Sequence, residues 1–139
     1  MPLPTHLTLE IVTPEGLLLR EEVDEVVAPG EEGYFGVRPG HTPFMTNLGL
    51  GVIDYRKGGE WGHLTCFWGF CEVLPDKVSV LAELGERAED IDVGQAAKDR
   101  RLAEERMKRI TDEAGYEQAR AEYIMAVTRL TMAERHKHS

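Results

Sequence analysis

All seven prolines of this chain lie at or before Pro75, and twelve of its fourteen glycines lie at or before Gly85. Beyond Gly85 runs a long stretch rich in Ala, Arg, Glu and Leu that only Gly94 and Gly115 interrupt. Turn chemistry stops and helix formers take over, so no single layer of uniform structure can accommodate both halves. The charge changes at the same place. Residues 1–85 carry 5 basic and 13 acidic side chains, a balance of −8, whereas residues 86–139 carry 11 and 12, a balance of −1. Two parts are expected, 1–86 and 87–139.

The first part reads as many short strands. Leu7, Leu9 and Ile11 alternate with Thr8, Glu10 and Val12, the period-two pattern of a half-buried strand. Thr13-Pro14-Glu15-Gly16 turns the chain, and a second strand runs from Leu17 through Val23, Val26 and Val27 until Pro29-Gly30 breaks it. Further strands are predicted at 34–38, 43–48 and 51–56, with Lys57-Gly58-Gly59-Glu60 as a hairpin turn. The run from Gly62 to Leu81 reads as three more, broken near Gly69 and at Pro75-Asp76-Lys77. Strands at this spacing without intervening helices point to a sandwich or flattened barrel.

The second part repeats in steps of three and four. Val93, Ala96, Arg100, Ala103, Met107 and Ile110 lie on one seam, and Tyr116, Ala119, Tyr123, Ala126, Leu130 and Ala133 on another. The short connector Thr111–Gly115 makes the two helices antiparallel. Asp92 reads as the N-cap of the first, with Gln95 completing a capping box. The fold class is therefore α+β, a sandwich followed by a helical hairpin. Alanine at five of the twelve seam positions lets the backbones approach but buries little area, roughly 2 kcal/mol less per residue than leucine would. Such a hairpin can come apart.

Several function classes are excluded. A formal net charge of −9 opposes nucleic acid, which needs a basic stripe, and opposes direct docking on anionic lipid. No apolar run is long enough for a membrane span, and Met1–His6 holds no Lys or Arg of the kind that opens a signal peptide. Cys66 and Cys71 lie in an apolar strand-like stretch and read as free core thiols. The segment Gly30–His41 lacks the Gly-Lys-Ser/Thr ending of a phosphate loop and carries Glu31 and Glu32, which repel anions. His6, His41, His63, His136 and His138 show no metal-ligand spacing beyond the tail pair. No serine is placed as a nucleophile and no matched carboxylate pair is indicated. No catalytic residue and no metal site are expected.

In Gly33-Tyr34-Phe35-Gly36-Val37-Arg38-Pro39-Gly40-His41-Thr42-Pro43-Phe44, Trp68-Gly69-Phe70-Cys71-Glu72-Val73, Lys77-Val78-Ser79-Val80-Leu81 and Arg129-Leu130-Thr131-Met132-Ala133, the chain resembles the epsilon subunit of F-type ATP synthases. The resemblance implies a ten-stranded sandwich that clamps the gamma subunit and rests on the c-ring, and a hairpin that extends to the alpha/beta catalytic head and blocks ATP hydrolysis. Tyr34, Arg38 and His41 fall at the ring-contact loop, with Tyr34 where many relatives carry an acid. Arg120, Arg129 and Arg135, with Lys137 beyond them, are the basic residues of the inhibitory helix. Some bacterial relatives bind ATP in the folded hairpin. Of that motif Glu86, Ile91, Asp92, Ala96 and Arg129 correspond here, but Gln95, Leu102 and Met125 stand in place of arginines. Losing three guanidinium groups removes most of the charge-assisted phosphate contacts. The resemblance thus implies no cofactor, with any ATP held weakly, and a place at the cytoplasmic face of a bacterial plasma membrane, reached through the complex. Two alternatives from other classes are a free-standing ATP-sensing module and a sandwich that binds a sugar or peptide.

Overall fold

The computed structural model describes residues 3–137, and the chain divides into two compact units between Arg87 and Ala88. Met1, Pro2, His138 and Ser139 lie outside the described residues, and with them one of the two tail histidines. In the first unit β1 (Leu7–Thr13), β2 (Gly16–Val23), β3 (Glu25–Gly30), β4 (Gly33–Val37), β5 (Phe44–Lys57), β6 (Glu60–Leu74) and β7 (Lys77–Arg87) form one sheet in the order β2-β1-β7-β6-β5-β3-β4. All neighbours are antiparallel except β1 and β7, which run parallel. Alternation places Leu9 and Ile11 of β1, Val26 of β3, Val37 of β4 and Val78 of β7 in one buried cluster. Since β1 and β4 stand far apart in the sheet order, the sheet must fold over on itself to bring them together, which makes it a sandwich. Each such aliphatic side chain contributes roughly 1.5–3 kcal/mol by burial.

Among the described residues the strands number seven, not ten. The expected strands 43–48 and 51–56 are one strand, β5, because pairing with β6 lapses at Gly49 but resumes in the same register, from Leu48↔Gly69 to Leu50↔Phe67. Likewise β6 passes through Gly69 without ending, so 62–81 holds parts of two strands rather than three. A one-residue gap that keeps the register looks like a break in a sequence. The opposite error lies at 17–27, where Asp24 separates β2 from β3. There Asp24 N donates to Arg56 O (2.8 Å) and its carboxylate accepts from Gly58 N (2.8 Å), handing the chain from β1 to β5.

The second unit opens with a 3-10 turn, Ala88–Asp90, followed by α1 (Val93–Arg109) and α2 (Glu113–Lys137), packed as an antiparallel hairpin. The connector is shorter than expected, and Gly115 lies in the first turn of α2, where its N–H donates to Asp112 Oδ2 (2.8 Å). The seam buries its alanines: Ala96, Ala103, Ala119 and Ala126 are all at most 2% exposed. Its larger members are less covered, Val93 at 42% and Tyr116 at 39%. The contact between α1 and α2 is thus close in backbone terms and modest in apolar area. No helix among the described residues is long and apolar enough to cross a membrane.

Candidate functional sites

Two regions collect the residues singled out by sequence, one in each unit. In the first, the β4–β5 connection turns through Gly40, whose left-handed φ of 87° suits glycine. Gly40 N donates to Pro75 O (2.7 Å) and His41 N to Arg38 O (3.1 Å), which ties the loop to the β6–β7 turn and to itself. His41 Nδ1 lies 2.6 Å from Thr42 O. A carbonyl only accepts, so Nδ1 is the donor in this contact. Arg38 reaches Glu25 at 3.8 Å, and Arg38 and His41 share the wall of a shallow cleft with Pro39 and Gly40. Tyr34 does not line that cleft. Its hydroxyl oxygen accepts from Val52 N (3.2 Å), so the ring lies back across β5, where a Cβ at Gly51 would collide with it. The loop therefore presents Arg38 and His41 together and Tyr34 separately.

In the second region, Asp92 caps α1: its Oδ1 accepts from Gln95 N (3.0 Å). The expected box is only half made. The side chain of Gln95 turns forward instead and donates from Nε2 to Asp99 Oδ1 (2.8 Å). Asp99 Oδ2 in turn meets Arg129 Nη1 of α2 at 3.6 Å, and Arg129 is only 19% exposed. A second ion pair, Arg106–Glu122, joins the helices nearer the turn. The residues considered for nucleotide are thus engaged by one another or by packing. Gln95 spends its amide on Asp99, Arg129 neutralises the same carboxylate, and Ala96 is buried in the seam. Ile91 is half-buried in the loop before Asp92, and Glu86 sits on β7 in the first unit, its backbone N–H donating to Thr65 Oγ1 (3.1 Å).

The three basic residues of α2 do not share a face. Arg120 and Arg129 are about 180° apart around the helix at 100° per residue, while Arg120 and Arg135 are about 60° apart. Arg120 and Arg135 are exposed; Arg129 turns toward α1. Asp99 was not recognised from sequence, although a signal existed. The pairs 106/122 and 99/129 are both centred on Ala114, at the hairpin turn, and their members lie seven residues apart along each helix. Opposite charges placed symmetrically about a helical turn are the antiparallel counterpart of a heptad pair. Among the described residues no group of three or more His, Cys, Asp or Glu could hold a metal ion.

Residues 6–88 match the family profile described as "ATP synthase, Delta/Epsilon chain, beta-sandwich domain". The ATP synthase epsilon chain of Nitratidesulfovibrio vulgaris is 46% identical over 124 residues, spanning 89% of this chain and 92% of the relative. That of Syntrophobacter fumaroxidans is 45% identical over 129 residues, 93% of this chain and 96% of the relative. Among solved structures, a chain of the Euglena gracilis mitochondrial ATP synthase (OSCP/F1/c-ring, rotational state 1) superposes with a TM-score of 0.80 at 20% identity, covering 100% of this chain and 85% of that one. A chain of the Tetrahymena thermophila mitochondrial ATP synthase (central stalk/c-ring) gives 0.64 at 13% identity, covering 91% and 96%. At these identities the structural likeness concerns the fold.

Proposed function

The chain belongs to the ATP synthase epsilon chain family, and from that premise we propose that it is a central-stalk subunit of a bacterial F-type ATP synthase with no catalytic chemistry of its own. In this reading the sandwich binds the gamma subunit and rests on the c-ring through the loop bearing Arg38 and His41, so that ring rotation reaches the catalytic head through gamma. The helical hairpin, when it opens, reaches the alpha/beta head and restrains ATP hydrolysis, with Arg120 and Arg135 as its exposed cations. The complex holds the protein at the cytoplasmic face of the plasma membrane. The observation that carries the reading is that identity to epsilon chains extends across both units rather than stopping at the sandwich.

Two physical features support a moving hairpin. Its seam is alanine-rich and buries little, and its two cross-helix ion pairs are partly exposed, each worth about 0–1 kcal/mol. The closed form is held by contacts within the protein, since Asp99 occupies Arg129 and Gln95 replaces a guanidinium. These contacts favour a latch internal to the hairpin over one made by ATP. Co-purification tests the partner assignment. A tagged copy of the chain should draw the gamma subunit from its own cells in equal proportion; recovery of the tagged chain alone would refute the stalk reading.

A further inference from the structure

β6 is paired on both sides, with β5 and with β7, in a register that stays constant along its length, the pairing lapsing at one residue. Trp68 falls between paired positions on each side, facing Gly49 of β5 and Glu83 of β7. Its φ of 62° is left-handed, rare for any residue but glycine and rarer for a bulky one. The glycines around it explain why an opening forms. At Gly69 a Cβ would collide with the carbonyl oxygen of Leu81, so β7 comes in close there, whereas a Cβ at Gly49 would meet nothing within 4 Å. No side chain stands across β5 to cover the indole.

The result is an open groove of about 890 Å³ with an apolar lining that includes Leu48, Phe70 and Leu81, with Trp68 38% exposed along it. Glu31 and Glu83 line the same groove, and among the described residues no Lys, Arg or His does. Glu83 has no ion-pair partner among the described residues, and Glu31 has only the amide of Asn47 at 3.3 Å. An aromatic face beside two unneutralised carboxylates is chemistry for a cation. A guanidinium stacks flat on an indole and offers its forked N–H groups to carboxylates, which an ammonium does less well. A wholly apolar occupant would instead strip water from both carboxylates without replacing it. The balance of −8 over residues 1–85 adds long-range attraction for such a partner.

We propose that this groove receives an arginine-bearing segment of the partner stalk subunit, the guanidinium lying against Trp68 between Glu31 and Glu83. The proposal rests on the stalk reading and deepens it by naming where and by what chemistry the sandwich is held. The test uses the full chain and the purified gamma subunit of the same enzyme, with affinity measured at low and high salt. The Glu31→Gln/Glu83→Gln double variant keeps shape and the Asn47 contact while removing both charges. It should bind roughly tenfold more weakly and show a shallower salt dependence. Glu60→Gln, at the far end of the β5–β6 hairpin, should bind as the unmodified chain does. In a Trp61→Phe background, the fluorescence of Trp68 should change when gamma binds. If the chain binds gamma but the double variant matches it in affinity and salt slope, the groove is refuted while the stalk reading stands. If the unmodified chain does not bind gamma, both fall.

Discussion

At Asp24 the chain leaves β2 for β3, and one carboxylate organises the corner. It accepts from Gly58 N at 2.8 Å and lies 3.6 Å from Arg56 and 3.3 Å from His6. The Gly58 hydrogen bond, first, and the nearby Arg56 and His6 hold its pKa below the ordinary 3.8. In acid the unfolded chain therefore takes up this proton before the folded one does. The stability that Asp24 contributes is complete above pH 3.8 and is lost as pH falls through the lower folded value. Urea unfolding of Asp24→Asn should show a weaker loss of stability on the acid side than the unmodified protein; identical acid limbs would contradict the assignment. Two other residues titrate in the opposite sense. Burial pushes the thiols of Cys66 and Cys71 up to about 12. Neither should react with a thiol reagent at about pH 8 in the native protein, and both should react in denaturant.

Among the elements, the close approach of β7 to β6 and the closure of α1 on α2 carry the distinctive architecture. The close approach requires glycine at position 69 but not at position 49 on the adjoining strand. Gly69→Ala would drive a Cβ into Leu81 O and should destabilise the sandwich by about 2 kcal/mol or more, whereas Gly49→Ala meets open space and should change stability by less than about 1 kcal/mol. Urea midpoints of the two variants check the contrast. In the hairpin, Asp92→Ala removes the N-cap and should cost about 1 kcal/mol, read as faster amide exchange through the first turns of α1. The helical part was legible in the sequence because its signals are local. Cap, 3-4 repeat and short connector all lie within a few residues of what they specify. The strand count was not, since β5 and β6 continue in register past Gly49 and Gly69, and only the pairing with a distant neighbour shows that. The Asp99–Arg129 pair escaped for a related reason, being visible only once the two helices are aligned about Ala114. Of the β4–β5 loop, the turn was readable from its glycines and proline. The backward fold of Tyr34 onto Val52 N was not, because it depends on the space left by Gly51.

For the whole molecule, the sandwich has a dense core spanning all seven strands, while the helical hairpin is joined by an alanine seam and a few exposed charges. That contrast suits a fixed part and a moving part. Within the hairpin, Asp99 already engages both Gln95 and Arg129. Calorimetric titration of the full chain with ATP should accordingly give a dissociation constant weaker than about 100 µM, and a low-micromolar value would contradict the self-contained latch. The central claim is that the sandwich assembles and the hairpin restrains. It is tested most directly by ATP hydrolysis in the reconstituted head, comparing the full chain with one ending at Arg87. The shortened chain should still assemble with gamma while hydrolysis rises by roughly fivefold. Equal rates for the two chains, with both assembled, would contradict it.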